Sequence, residues 1–143
     1  MITARHKPKT TLKPLLLILC LAAWLRFDAL THDARFHVDE AFFATFARGA
    51  AVQGDWLLGG ALDKPPLAIY ASALGMQAFG IVTNAAGVLD LDLYVGEFAA
   101  RVPHAFAGVI LTALVYALAR ALAPRRESFA LGAALLTGLS PLA

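Results

Sequence analysis

The chain is poor in the residues that make disulfide scaffolds and metal centres. It has one cysteine, Cys20, in an apolar run, so neither a disulfide framework nor a Cys-based metal site can form within one chain. Histidines are few and never fall at HxxH or HxxxH spacing, which leaves His37 and His104 weak as metal ligands. Charge is scarce, at 15% of residues, and no basic stripe is interleaved with exposed aromatics. Nucleic acid is therefore not an expected partner. Internal repeats and low-complexity segments are also missing.

What the chain has in excess is apolar surface. Of its 143 residues 59% are hydrophobic, and its mean hydropathy is +0.68. Soluble domains of this length are usually less apolar. The composition predicts an integral membrane protein of the all-α class, with multi-pass transmembrane helices.

Residues 1–13 are polar and basic, with Arg5, Lys7, Lys9 and Lys13. Residues 14–30 follow as an apolar run, long enough to span a bilayer as a helix if Arg26 snorkels toward a headgroup. A secretory signal peptide is the competing reading, but no convincing small-x-small cleavage site follows. A second span is expected at 102–122, opened by Pro103 and closed near Arg120. A third apolar run, 128–143, reads as a helix cut short, after a cytoplasmic loop at 123–127.

The stretch 65–80 is apolar but short for a span. Charge asymmetry decides its expected placement. Eight of the ten acidic residues lie between 31 and 100, with three basic ones, Arg35, Arg48 and Lys64. Basic residues cluster instead at 5–13 and 120–126. The positive-inside rule puts both clusters in the cytoplasm, which requires an even number of crossings between them. Spans at 14–30 and 102–122 satisfy this, so 65–80 is expected to lie along the membrane or re-enter it. The predicted extracytoplasmic loop is then 31–101, with interfacial helices near 39–52 and 65–80. In the first of these, Phe42, Phe43, Phe46, Ala47, Ala50 and Ala51 share a broad apolar face. Residues 81–97 read as an irregular connection.

Several residues of this loop can carry chemistry, each with a plainer reading beside it. Asp39-Glu40 is either a general base with a neighbour that tunes it or two acids favoured at a helix N-terminus. Asp63-Lys64-Pro65-Pro66 puts a cation at a helix start, where backbone N–H groups and Lys64 make a phosphate site. It also fits a capped interfacial helix with a snorkelling lysine. Arg101 either meets an anion or marks the interface. Taken together, acids at 39, 40 and 63 with cations at 64 and 101 suit transfer from a lipid-phosphate carrier. A carboxylate would take a proton from an acceptor hydroxyl, and cations would stabilise the charge on the leaving phosphate.

The ordered set Asp39-Glu40, Gly54-Asp55-Trp56, Asp63-Lys64-Pro65-Pro66-Leu67, Phe79-Gly80 and Ala100-Arg101-Val102-Pro103 resembles the N-terminal region of GT-C glycosyltransferases. The likeness is to the dolichyl-phosphate-mannose protein mannosyltransferase and aminoarabinose transferase type. It covers residues 14–143.

The resemblance implies a membrane enzyme using a polyprenyl-phosphate sugar donor. It implies transfer to a protein or lipid acceptor on the extracytoplasmic face, with inversion at the anomeric carbon. Asp39 matches the catalytic acid, with Glu40 beside it. Lys64 matches the lysine that meets the donor phosphate, and Arg101 an arginine at the start of the second span. Asp63 matches a carboxylate that binds a divalent metal ion in some relatives. The implied location is the plasma (inner) membrane, N-terminus cytoplasmic.

Two departures stand out. Some relatives carry a basic residue shortly after the Asp-Glu pair, where this chain has Ala41, Phe42 and Phe43. Family members also have many more spans, so the resemblance implies an N-terminal part that is inactive alone. The alternative reading is a non-enzymatic membrane scaffold or accessory subunit. A transporter fragment is a third, and it would call for ionisable residues within the spans.

Overall fold

The structure is a computed structural model that describes residues 12–32, 37–60 and 64–140. It is mostly helical. In chain order it has α1 (Leu12–Thr31), α2 (Val38–Gln53), α3 (Pro66–Phe79), β1 (Val82–Thr83), β2 (Leu89–Asp90), α4 (Leu93–Leu122) and α5 (Glu127–Leu139). Among the described residues, one helix, Leu93–Leu122, is long and apolar enough to cross a membrane. The chain divides into two compact units, residues 26–107 and residues 1–25 with 108–143.

In the first unit, α2 and α3 pack through small side chains. Ala44, Ala47, Ala50 and Ala51 give α2 a flat methyl face against Ile69, Ala73 and Met76 of α3. Leu58, Leu91, Ala99 and Ala100 complete this core. Phe43 and Phe46 pack against its edge, while Phe42 is half exposed. The broad apolar face expected of α2 is thus split. Methyl groups let the helices approach closely and the phenyl rings do not, so the alanines take the centre and Phe42 turns outward.

Helix α2 ends at Gly54, whose φ of 78° is left-handed, and Asp55 N–H reaches back to Gly49 O at 3.2 Å. This closure satisfies a carbonyl that the helix end would leave open.

Between α3 and α4 the chain makes a short antiparallel hairpin, with Val82 opposite Asp90 and Thr83 opposite Leu89. Asn84 builds its turn: Oδ1 accepts from Ala86 N–H at 2.9 Å and Val88 N–H at 3.0 Å. Gly87, at φ 77°, supplies the left-handed residue that such a loop needs.

Helix α4 starts at Leu93, earlier than the span expected from Val102. Asp92 is the cause. Its Oδ1 accepts from Tyr94 N–H at 3.0 Å and Val95 N–H at 3.2 Å, satisfying two orphan donors of the first turn. Residues 93–97 are therefore helix rather than irregular connection, and Arg101 lies within α4.

Pro103 lies within α4 and removes the N–H that would have bonded Ala99 O. Gly75 of α3 comes against this spot. A Cβ there would collide with Ala99 O and stand 2.9 Å from Pro103 Cδ. Beside it, Ser72 Oγ lies 3.3 Å from Ala100 O and 3.0 Å from His104 Nε2, a polar knot joining the two helices.

In the second unit Thr112 is fully buried, and its Oγ1 donates to Gly108 O at 3.0 Å. A Cβ on Gly138 would lie 3.2 Å from Ala22 Cβ and 3.6 Å from Thr112 Cγ2, so small residues again set the packing distance.

Candidate functional site

The site is built on the first turn of α2. His37 is the cap residue, and its backbone N–H donates to Glu40 Oε2 at 3.1 Å. The same oxygen accepts from Arg101 Nη2 at 2.8 Å, an ion pair between groups 61 residues apart. Partial burial alone pushes the Glu40 carboxyl up. The Arg101 hydrogen bond, the His37 N–H and the charges of Arg101 and His37 outweigh it and hold the group below its usual value. Glu40 is thus a held anion whose partner is a fixed guanidinium.

Asp39 is exposed, one residue earlier on the same turn, where the helix dipole favours its charge. At about 100° per residue, Glu40 lies about 100° to one side of Asp39 and Phe42 about 60° to the other. Phe42 carries the second cation: Lys64 Nζ stands 5.4 Å from its ring centroid. Around α2, Asp39 therefore lies between the residue that meets Arg101 and the residue that meets Lys64.

Nothing in the sequence near Glu40 signals its partner. Phe42 was legible only as part of an apolar face. Asp63 lies outside the described residues. Among the described residues, no group of three or more His, Cys, Asp and Glu is placed to hold a metal ion.

The other pieces of the sequence pattern sit at helix contacts. Gly54 closes α2. Trp56 stacks on Tyr70 at 6.2 Å and 20°, and Tyr70 Oη donates to Trp56 O at 2.8 Å. Gly80 has Leu91 and Ala99 against it, with a Cβ there meeting Leu91 Cδ1 at 2.7 Å. Pro103 meets Gly75, as above. These residues hold α3 and its leading Lys64 against the elements that carry Glu40 and Arg101.

On the far side of Glu40 lies a mostly apolar cleft of about 360 Å³. Ala41, Ala44, Thr45 and Arg48 of α2 face Gly96 and the buried Glu97 of α4 across it, above Met76.

No family model, curated protein or solved structure matches the chain.

Proposed function

We propose that the chain is the N-terminal part of an integral membrane glycosyltransferase. It would move a sugar from a polyprenyl-phosphate donor to an acceptor hydroxyl, on a protein or a lipid, at the extracytoplasmic face. The observation that carries this reading is the 2.8 Å Glu40–Arg101 bond. It ties α2 to α4 across the polar stretch, on the same helix turn that carries Asp39.

Asp39 acts as general base. Its carboxylate takes the proton of the acceptor hydroxyl while that oxygen bonds to the anomeric carbon on the face opposite the leaving group. The bond from that carbon to the phosphate oxygen breaks, and its electron pair stays on the polyprenyl phosphate. Lys64 and Arg101 stabilise that charge. Glu40 keeps Arg101 oriented, and the two charges of the pair hold each other in place.

A multi-pass arrangement with a cytoplasmic N-terminus in the plasma (inner) membrane fits the same reading. Only 22% of the most apolar 18-residue window of α4 is buried, whereas a soluble core helix of that composition would be covered. The 20 residues of α1 match the hydrocarbon layer in length alone, at about 30 Å, while among the described residues α4 is the helix both long and apolar enough to cross it. The apolar outer stripe of α3, with Leu67 and Leu74 exposed, suits a helix lying in the interface.

The test is Asp39→Asn in the full-length enzyme, assayed with a polyprenyl-phosphate sugar. General-base catalysis is worth about 10²–10⁴-fold, so transfer should fall by that factor at unchanged expression. Wild-type rates in this variant would refute the assignment.

A further inference from the structure

We infer that Phe42 is a positioning residue for Lys64, and that its ring sets how well that ammonium takes an anionic phosphate ester. The inference rests on the function proposed above and goes beyond it, because it turns the departure at Ala41-Phe42-Phe43 into a working part of the site.

Three observations combine. The Lys64 ammonium stands 5.4 Å from the Phe42 centroid, within the range where a cation is attracted to a ring face. The ring itself is held by its neighbours. Phe46, one turn on, meets it edge to face at 5.0 Å and 86°, and Phe43 meets it at 6.2 Å and 72°. Finally, Lys64 precedes Pro65-Pro66, and Pro65 is extended, with φ −65° and ψ 106°. The backbone that follows the lysine is therefore stiff.

A lysine side chain loses much rotamer freedom when it binds an ion, and ordering it beforehand removes part of that cost. A ring face does this through a contact that carries no net charge of its own. An ammonium offers three N–H donors, and the ring engages one side of it. Phe42 also lies about 60° from Asp39 around α2, so the ring and the carboxylate share one side of the helix. An aromatic residue here thus aims one cation at the phosphate, where a basic residue would have added another.

The experiment uses the chain in detergent micelles with its lysines ¹³Cε-labelled, the Lys64 signal being assigned by Lys64→Arg. The probe is geranyl monophosphate, with geraniol as the phosphate-free control. In the wild type the Lys64 ε-methylene signal should be shifted upfield by the ring current, and geranyl monophosphate, but not geraniol, should move it on binding. Phe42→Leu keeps the apolar bulk and removes the ring. It should abolish the upfield shift and weaken geranyl monophosphate binding by about two- to five-fold, the usual worth of an exposed cation–π contact. Phe42→Trp should keep both, which a merely structural role would not require.

Equal binding by the wild type and Phe42→Leu overturns the inference and leaves the proposed function standing. So does a wild-type Lys64 signal with no upfield shift, a result that needs no variant to fold. If geraniol moves the signal as geranyl monophosphate does, or if neither does, the phosphate role of Lys64 falls. The proposed function then falls with it.

Discussion

Glu40→Gln keeps the shape of the side chain and an oxygen that can accept from His37 N–H, but removes the charge that faces Arg101. The worth of that charge pair can be bounded from its exposure. The Arg101 side chain is 21% exposed and that of Glu40 45%, so water screens the pair. Exposed pairs contribute about 0.2–1 kcal/mol, and this one, with a hydrogen bond at 2.8 Å, belongs at the upper end, about 0.5–1 kcal/mol. The pH dependence has a definite sign. The Glu40 carboxyl lies below its usual value of 4.5 in the folded chain. Its contribution is fully present above the unfolded value and is lost as pH falls through the lower, folded one. A double-mutant cycle with Glu40→Gln and Arg101→Gln, read by denaturant unfolding in detergent, isolates the pair from other carboxylates that titrate alongside. The coupling should be about 0.5–1 kcal/mol at pH 7 and low salt, and should shrink in 0.5 M salt and toward pH 3. A coupling that is zero at pH 7, or unchanged at pH 3, would refute an ionic link between α2 and α4.

Three further outcomes follow from the packing. Gly75→Ala should destabilise the chain by about 1–3 kcal/mol in the same unfolding assay, because the added methyl meets a backbone carbonyl. Gly49→Ala, whose Cβ would meet nothing closer than 3.8 Å, should be neutral or stabilising by up to about 1 kcal/mol; equal costs at the two sites would show the close approach to be wrong. Asp92→Ala should cost about 1 kcal/mol and fray the start of α4, seen as faster amide exchange at Tyr94 and Val95. For the proposed topology, Val88→Cys with Cys20→Ser should react with an impermeant thiol reagent from the extracytoplasmic side, and labelling from the cytoplasm alone would reverse the placement of the hairpin.

The fold was legible wherever apolar period and proline chemistry agreed. Helix α3 runs from Pro66 to Phe79, close to the 65–80 read from its apolar run and opening prolines, and α2 runs from Val38 to Gln53, close to 39–52. The start of α4 was obscured because Leu93–Arg101 mixes Gly96, Glu97 and apolar residues, and the stronger signal began only at Val102. Asp92 ahead of Leu93-Tyr94-Val95 was the cap that could have shown it. The hairpin had its own sign in Asn84 and Gly87, around β-branched Val82, Thr83 and Val88. Sequence order offers Asp39, Lys64 and Arg101 as candidates. It could not pair Glu40 with Arg101, because nothing local encodes a contact across 61 residues. Nor could it turn Phe42 toward Lys64, since that depends on which side chains the core rejects.

The meeting of Gly75 with Pro103 reaches beyond stability. Pro103 deprives Ala99 O of its helical donor, and Gly75 is the residue that brings a neighbouring backbone to that oxygen. The two positions therefore form one unit for sequence change. A side chain at 75 can be accepted only in a chain where α3 has moved away from α4, and that displacement would carry Ser72 away from His104 as well. Among diverging copies of this chain, positions 72, 75, 103 and 104 should drift together or not at all, and that linkage would identify kin too remote for overall similarity to reveal.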